Sequence, residues 1–137
     1  MGTHATIKFY EEYKKDDLAF YGALYYQYDG YPENVGLKLA QFLNDTSLVN
    51  GIGPDSPKNQ ANGIGCLAAQ YISQEKTKAG VGGVYMTFED DAQEFDYVVI
   101  CNAYNNDTEV VALEHGELFF KGDPQAFLDF CNKSTSS

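Results

Sequence analysis

The chain has 137 residues, 44% of them apolar and 15% aromatic, which suits one folded domain and is too short for two separate cores. Nine lysines, no arginine and 20 acidic side chains leave a formal charge of −11, so the surface repels polyanions and direct nucleic-acid binding is excluded. No window offers the roughly 18–20 continuous apolar residues of a membrane helix, and no basic-then-apolar leader opens the chain. A cytoplasmic protein whose mature form starts near residue 1 is therefore expected.

Thr3 to Tyr10 alternates, with Ala5, Ile7 and Phe9 on one face and His4, Thr6, Lys8 and Tyr10 on the other, which predicts a half-buried strand. Glu11 to Asp17 reads as a charged connection, and Leu18 to Tyr28 as a second strand that pairs with the first as a hairpin. Asp29-Gly30 carries turn chemistry, and Pro32 suits the first position of a helix whose apolar stripe is Val35, Leu39, Phe42 and Leu43. Asn44 to Asn59, with Gly51, Gly53, Pro54 and Pro57, reads as a long surface loop. A second helix is expected from about Gln60 to Thr77, presenting Ile64, Leu67, Ala68, Tyr71 and Ile72 before Gly80, Gly82 and Gly83 stop it.

Val84 to Glu89 and Phe95 to Ala103 are β-rich and flank an acidic stretch, so they predict a hairpin with a charged tip. Asn105-Asn106-Asp107 supplies another turn. Glu109 to Glu114 and Glu117 to Lys121 sit either side of His115-Gly116, the signature of a tight hairpin. Asp123 as N-cap and Pro124 behind it open a terminal helix with Phe127, Leu128, Phe130 and Cys131 on its apolar face. The order β-β-α-α-β-β-β-β-α predicts one α+β domain over residues 1–133, an antiparallel sheet of about six strands with helices packed on one face. Residues 134–137 form a frayed tail.

The run His4-Ala5-Thr6-Ile7-Lys8-Phe9, followed by Tyr28-Asp29-Gly30-Tyr31-Pro32-Glu33, resembles a family of small uncharacterised proteins from bacteriophages, prophages and bacteria. Leu118 to Leu128, with Gly122-Asp123-Pro124, looks like that family's closing strand, turn and helix. Where the family has a His-Trp pair before Asp-Gly, this chain has Gln27 and Tyr28. The family has no assigned activity, so the resemblance implies a viral or mobile-element origin and supplies no catalytic residues.

Candidate sites are few. His4-x-Thr6 matches half of a two-histidine phosphodiesterase signature, but His115 sits in a Gly turn and offers no second half. His4, Thr6 and Lys8 form a polar stripe able to donate to a phosphate or carboxylate. Tyr21, Tyr25, Tyr26, Tyr28 and Tyr31, with Asp29 among them, crowd eleven positions, and alternation prevents any strand from burying them all. Such rings suit a protein interface or a stacked nucleotide-like ligand. Glu89, Asp90, Asp91, Glu94 and Asp96 lack the spacing of a calcium loop and read as a solvated tip; gathered on one side, they would imitate a row of phosphates. Gly51 to Pro54 and Gly80 to Gly83 lack the context of a phosphate loop. Cys66, Cys101 and Cys131, odd in number and widely spaced, read as small buried hydrophobes rather than a disulfide or zinc set.

These readings point to a non-enzymatic binding module that needs no metal or cofactor. It would be a phage- or mobile-element-encoded accessory protein that occupies or inhibits a host component, a defence system among the candidates. A host protein is favoured over a small nucleotide-like ligand, because without arginine there is no rigid fork to clamp a phosphate. A hydrolase using His4 and a structural component of a virion are the alternatives. Open sheet edges and aromatic surface predict a homo-oligomer.

Overall fold

Alternation along the first strand sets the architecture. Ala5, Ile7 and Phe9 of β1 (Ala5–Lys14) are buried in the main apolar core, against the helices, while Thr6 and Lys8 point to the other face of the sheet. The structure, a computed structural model, describes residues 3–15, 17–49, 60–79, 83–88, 92–102 and 105–136, with the side chains of 78–79 and 134–136 left aside. After β1 come β2 (Asp17–Tyr26), one π-type turn at Pro32–Gly36 leading into α1 (Leu37–Asp45), β3 (Ser47–Val49) and β4 (Gln60–Asn62). Then follow α2 (Gly63–Ala79), β5 (Val84–Thr87), β6 (Phe95–Asn102), β7 (Asp107–Glu114), β8 (Glu117–Gly122) and α3 (Pro124–Ser136).

Six strands form one sheet in the order β5-β2-β1-β6-β7-β8, and β3 and β4 make a separate parallel pair. The α+β class, the strand number and the helices on one face agree with the sequence pattern. The sheet is mixed rather than wholly antiparallel, because β1 and β6 run parallel. The expected hairpin of 84–89 with 95–103 does not form: β5 pairs with β2, and the chain then passes β2 and β1 to return as β6 in the middle of the sheet. Hydrophobicity explains the exchange. β6 reads Phe-Asp-Tyr-Val-Val-Ile-Cys-Asn, apolar at nearly every position, and such a strand gains most from neighbours on both sides. Of the expected acidic tip, residues 89–91 lie outside the described residues.

Other boundaries move for local reasons. β1 continues through Glu11 to Lys14, where a connection was expected, because β2 pairs with it beyond the core, with register shifts after Phe9 and after Glu12. Ser47–Val49 turns part of the expected loop into a strand, while residues 50–59 lie outside the described residues. The second helix starts at Gly63 rather than Gln60, since Gln60–Asn62 is taken by β4 and Gly63 adopts φ +79°. The β7–β8 hairpin turns on His115 and Gly116, both at positive φ, as a type I′ turn requires. The Asp123 Oδ1 accepts the Ala126 N–H at 2.8 Å, capping α3 as expected.

A bulge in β8 sets Leu118 opposite Leu113 and Phe120 opposite Ala112, and Phe119 between them packs edge-on to Phe95 and beside Phe130. Under α1 and α3, the Tyr97 hydroxyl donates to the Gly30 carbonyl at 2.7 Å, fixing the turn after β2 to the central strand. Gly30 has no room for a side chain: a Cβ there would stand 2.4 Å from the Ala5 Cβ and 2.9 Å from the Thr3 carbonyl oxygen. Gly30→Ala is predicted to cost about 1–3 kcal/mol in urea unfolding. Gly65→Ala, on α2 with nothing within 4 Å of its Cβ, should gain about 0.5–1 kcal/mol. Equal effects at the two glycines would refute this packing.

Candidate functional site

The polar stripe of β1 is occupied from within the protein. Thr6 and Lys8 are buried, not exposed, because Asp96 of β6 is their register neighbour on the same face. The Thr6 Oγ1 donates to Asp96 Oδ1 at 2.5 Å, the Lys8 Nζ lies 3.8 Å from that oxygen, and the Gln93 N–H donates to Oδ2 at 3.1 Å. The carboxylate that this stripe was expected to meet on a ligand is therefore the protein's own. Removing it takes the acceptor from the buried Thr6 hydroxyl and from the Gln93 N–H, so Asp96→Ala is predicted to cost about 1.5–3 kcal/mol by urea unfolding. A loss under about 1 kcal/mol would contradict the assignment.

The tyrosine run separates by strand parity. Tyr26 faces the helices, 5% exposed, and its hydroxyl donates to Glu75 Oε1 at 2.6 Å beneath α2, with the Tyr71 hydroxyl 3.4 Å away. That corrects its place in the expected binding surface. Tyr25 is half-buried on the opposite face, where its hydroxyl meets His4 Nδ1 at 3.0 Å and the two rings sit edge to face. Tyr21 is exposed at the register shift, in contact with the Tyr13 hydroxyl and donating to Glu11 Oε2 at 3.3 Å. Tyr28 is exposed and its ring lies over Gly83; Tyr31 is exposed at the entry to the π-type turn. Asp29 takes φ +60° and presents its carbonyl to Asn34 Nδ2 at 2.7 Å.

A further exposed apolar surface lies one strand further out. Tyr85, Met86 and Phe88 are 47%, 51% and 78% exposed. Met86 and Phe88 come together over Gly22, where a Cβ would stand 3.6 Å from the Met86 Cε and the Phe88 Cε1. β5 has β2 on one side and no strand on the other among the described residues. Since the Gln27 N–H donates to the Gly83 carbonyl, antiparallel alternation directs the backbone groups of Tyr85 and Thr87 toward β2 and those of Val84 and Met86 outward. Lys76 of α2 reaches round this edge: its Nζ donates to the Val84 carbonyl at 2.8 Å and lies 5.4 Å from the centre of the Tyr85 ring. Sequence reasoning missed this edge by pairing Val84–Glu89 with Phe95–Ala103 instead of with β2. The signal was present, since Val-Tyr-Met-Thr-Phe holds no charge and no proline to blunt it.

The rest of the reactive inventory is scattered. His4 and His115 lie at the same end of the sheet on either side of the start of β6: the His4 carbonyl accepts the Phe95 N–H, and the His115 N–H donates to the Glu94 carbonyl. The His4 ring, however, is engaged by Tyr25. A cleft of about 510 Å³ at the opposite end is lined by Glu12, Asn102, Asp107, Glu109 and Asp123. Among the described residues no group of His, Cys, Asp or Glu is arranged to hold a metal ion, and no helix is long and apolar enough to cross a membrane. Comparison with protein-family models, curated proteins and solved structures finds no match to this chain.

Burial pushes the Cys101 and Cys131 thiols up to about 12, and raises the phenols of Tyr26, Tyr71 and Tyr97 above their ordinary range. These groups stay uncharged in the fold and ionise from about pH 8.5 to 10 in the unfolded chain, so their contribution is complete below that window and declines as pH rises through it. Urea midpoints are predicted to hold between about pH 7 and 8 and to fall above about pH 9, with Cys66 alone reacting with a thiol reagent in the native protein. A midpoint unchanged at about pH 11 would contradict it.

Proposed function

We propose that this protein is a non-enzymatic docking module that presents the outer edge of β5 and its flanking rings to another polypeptide. The observation that carries the reading is a strand edge without a neighbour among the described residues, bordered by the exposed Tyr28, Tyr85, Met86 and Phe88. An added strand gains main-chain hydrogen bonds from the edge and side-chain contacts from the rings, which is how extended segments are recognised by sheets. A polypeptide is favoured over a nucleotide-like ligand because Lys8, the cation placed to meet a phosphate, is buried against Asp96. The wider reading is an accessory protein of a bacteriophage or mobile element, acting by occupying a host component. It is supported by the sequence resemblance at both ends of the chain.

A photo-crosslinking residue at position 88 tests the docking face, with position 118 on the far edge strand as the control, since Leu118 is 58% exposed and equally apolar. In expressing cells, position 88 is predicted to give discrete crosslinked polypeptides that disappear when Met86→Ser is added. Position 118 should give none. Identical products from both positions, or none from position 88, would refute the reading.

A further inference from the structure

We infer that the edge of β5 pairs with the β5 edge of a second copy of this chain, and that Lys76 weakens this pairing by occupying the Val84 carbonyl. The inference rests on the docking face described above and names one occupant for it. Its basis is the self-complementarity of the edge. Outward backbone groups fall on Val84 and Met86 and, by the same alternation, on Phe88, so an antiparallel partner centred on Met86 exchanges bonds Met86 to Met86 and Val84 to Phe88 across a twofold axis. The non-bonded positions between them then set Tyr85 opposite Thr87.

Area and charge both bear on the outcome. The exposed parts of Tyr28, Tyr85, Met86 and Phe88, which border the edge, come to about 460 Å² per copy at ~200 Å² for a large side chain. Twofold pairing would thus bury about 900 Å², the size of a weak, reversible association rather than a permanent dimer. The contact strand, Val-Tyr-Met-Thr-Phe, holds no charged residue, so pairing brings no carboxylates face to face along the ladder. Each copy nonetheless carries a formal charge of −11, which opposes approach and makes the association tighten as salt rises. Lys76 acts locally. Its Nζ donates at 2.8 Å to the same Val84 carbonyl that the partner's Phe88 N–H needs, and its place against the Tyr85 ring holds it at the edge. A lysine guarding an open strand is a common means of keeping sheets from joining.

Sedimentation of the purified full chain from about 1 µM to 500 µM tests this against Lys76→Met and Met86→Pro. The wild type is expected to pass from monomer to dimer across the range, and Lys76→Met to bring the midpoint down about tenfold. Met86→Pro removes an outward N–H without touching the bonds to β2, and is expected to remain monomeric with its circular dichroism unchanged. Should that variant fail to fold, nuclear Overhauser contacts between differently labelled wild-type copies must link Tyr85 of one to Thr87 of the other. The inference is overturned if the wild type and Lys76→Met both stay monomeric, if folded Met86→Pro dimerises like the wild type, or if the mixed-label sample lacks that contact. A monomeric protein that still crosslinks a different polypeptide through position 88 would sink the self-pairing alone and leave the docking reading standing.

Discussion

The parallel pairing of β1 with β6 is the constraint on which the other elements depend. It sets Ala5 beside Phe95, Ile7 beside Tyr97 and Phe9 beside Val99, all buried, so the two most apolar strand faces form the floor of the core. Every helix packs onto that floor: α2 through Ile64, Leu67 and Tyr71, α1 through Leu39 and Leu43, α3 through Phe127 and Cys131. Burial of this kind is worth about 1.5–3 kcal/mol per large side chain, far more than the few tenths that strand propensity contributes. Because β6 claims one side of β1, β2 lies on the other, and β5 adds to the outside of β2.

The opposite face of the same two strands carries a second, polar tie. Thr6, Lys8 and Asp96 lie within two register positions of each other, and a one-residue slip would carry Asp96 into the apolar core while exposing Tyr97. Packing against the helices favours the pairing; the buried carboxylate fixes which residues meet. This also accounts for the stripe of His4, Thr6 and Lys8 being divided. Thr6 and Lys8 are drawn inward by Asp96, and His4, beyond the last residue pair, stays exposed with Tyr25 as its partner.

Local signals in the chain were legible where a single pattern decided the outcome. Alternation gave β1, the His115-Gly116 turn gave the β7–β8 hairpin, and Asp123-Pro124 gave the start of α3. Long-range pairing was not legible in the same way. Val84–Thr87 and Phe95–Asn102 are adjacent strands in sequence, and nothing local distinguishes a hairpin from a crossover when the connection between them is polar. Continuous apolarity in Val98-Val99-Ile100-Cys101 was the clue that β6 belongs at the centre. For the tyrosines, the argument that some must be exposed was sound. Which ones depended on the parity of β2, and that parity follows from Leu24 and Tyr26 pairing with Ile7 and Ala5.

Amide hydrogen exchange resolved by residue, on the dilute native protein, tests most directly whether β5 is an outer strand bonded on one side only. The account predicts an alternating record, with Tyr85 and Thr87 slow because their N–H groups point to β2, and Met86 and Phe88 fast because theirs point away. Met86 protected as strongly as Tyr85 under those conditions, or all four amides exchanging alike, would contradict it.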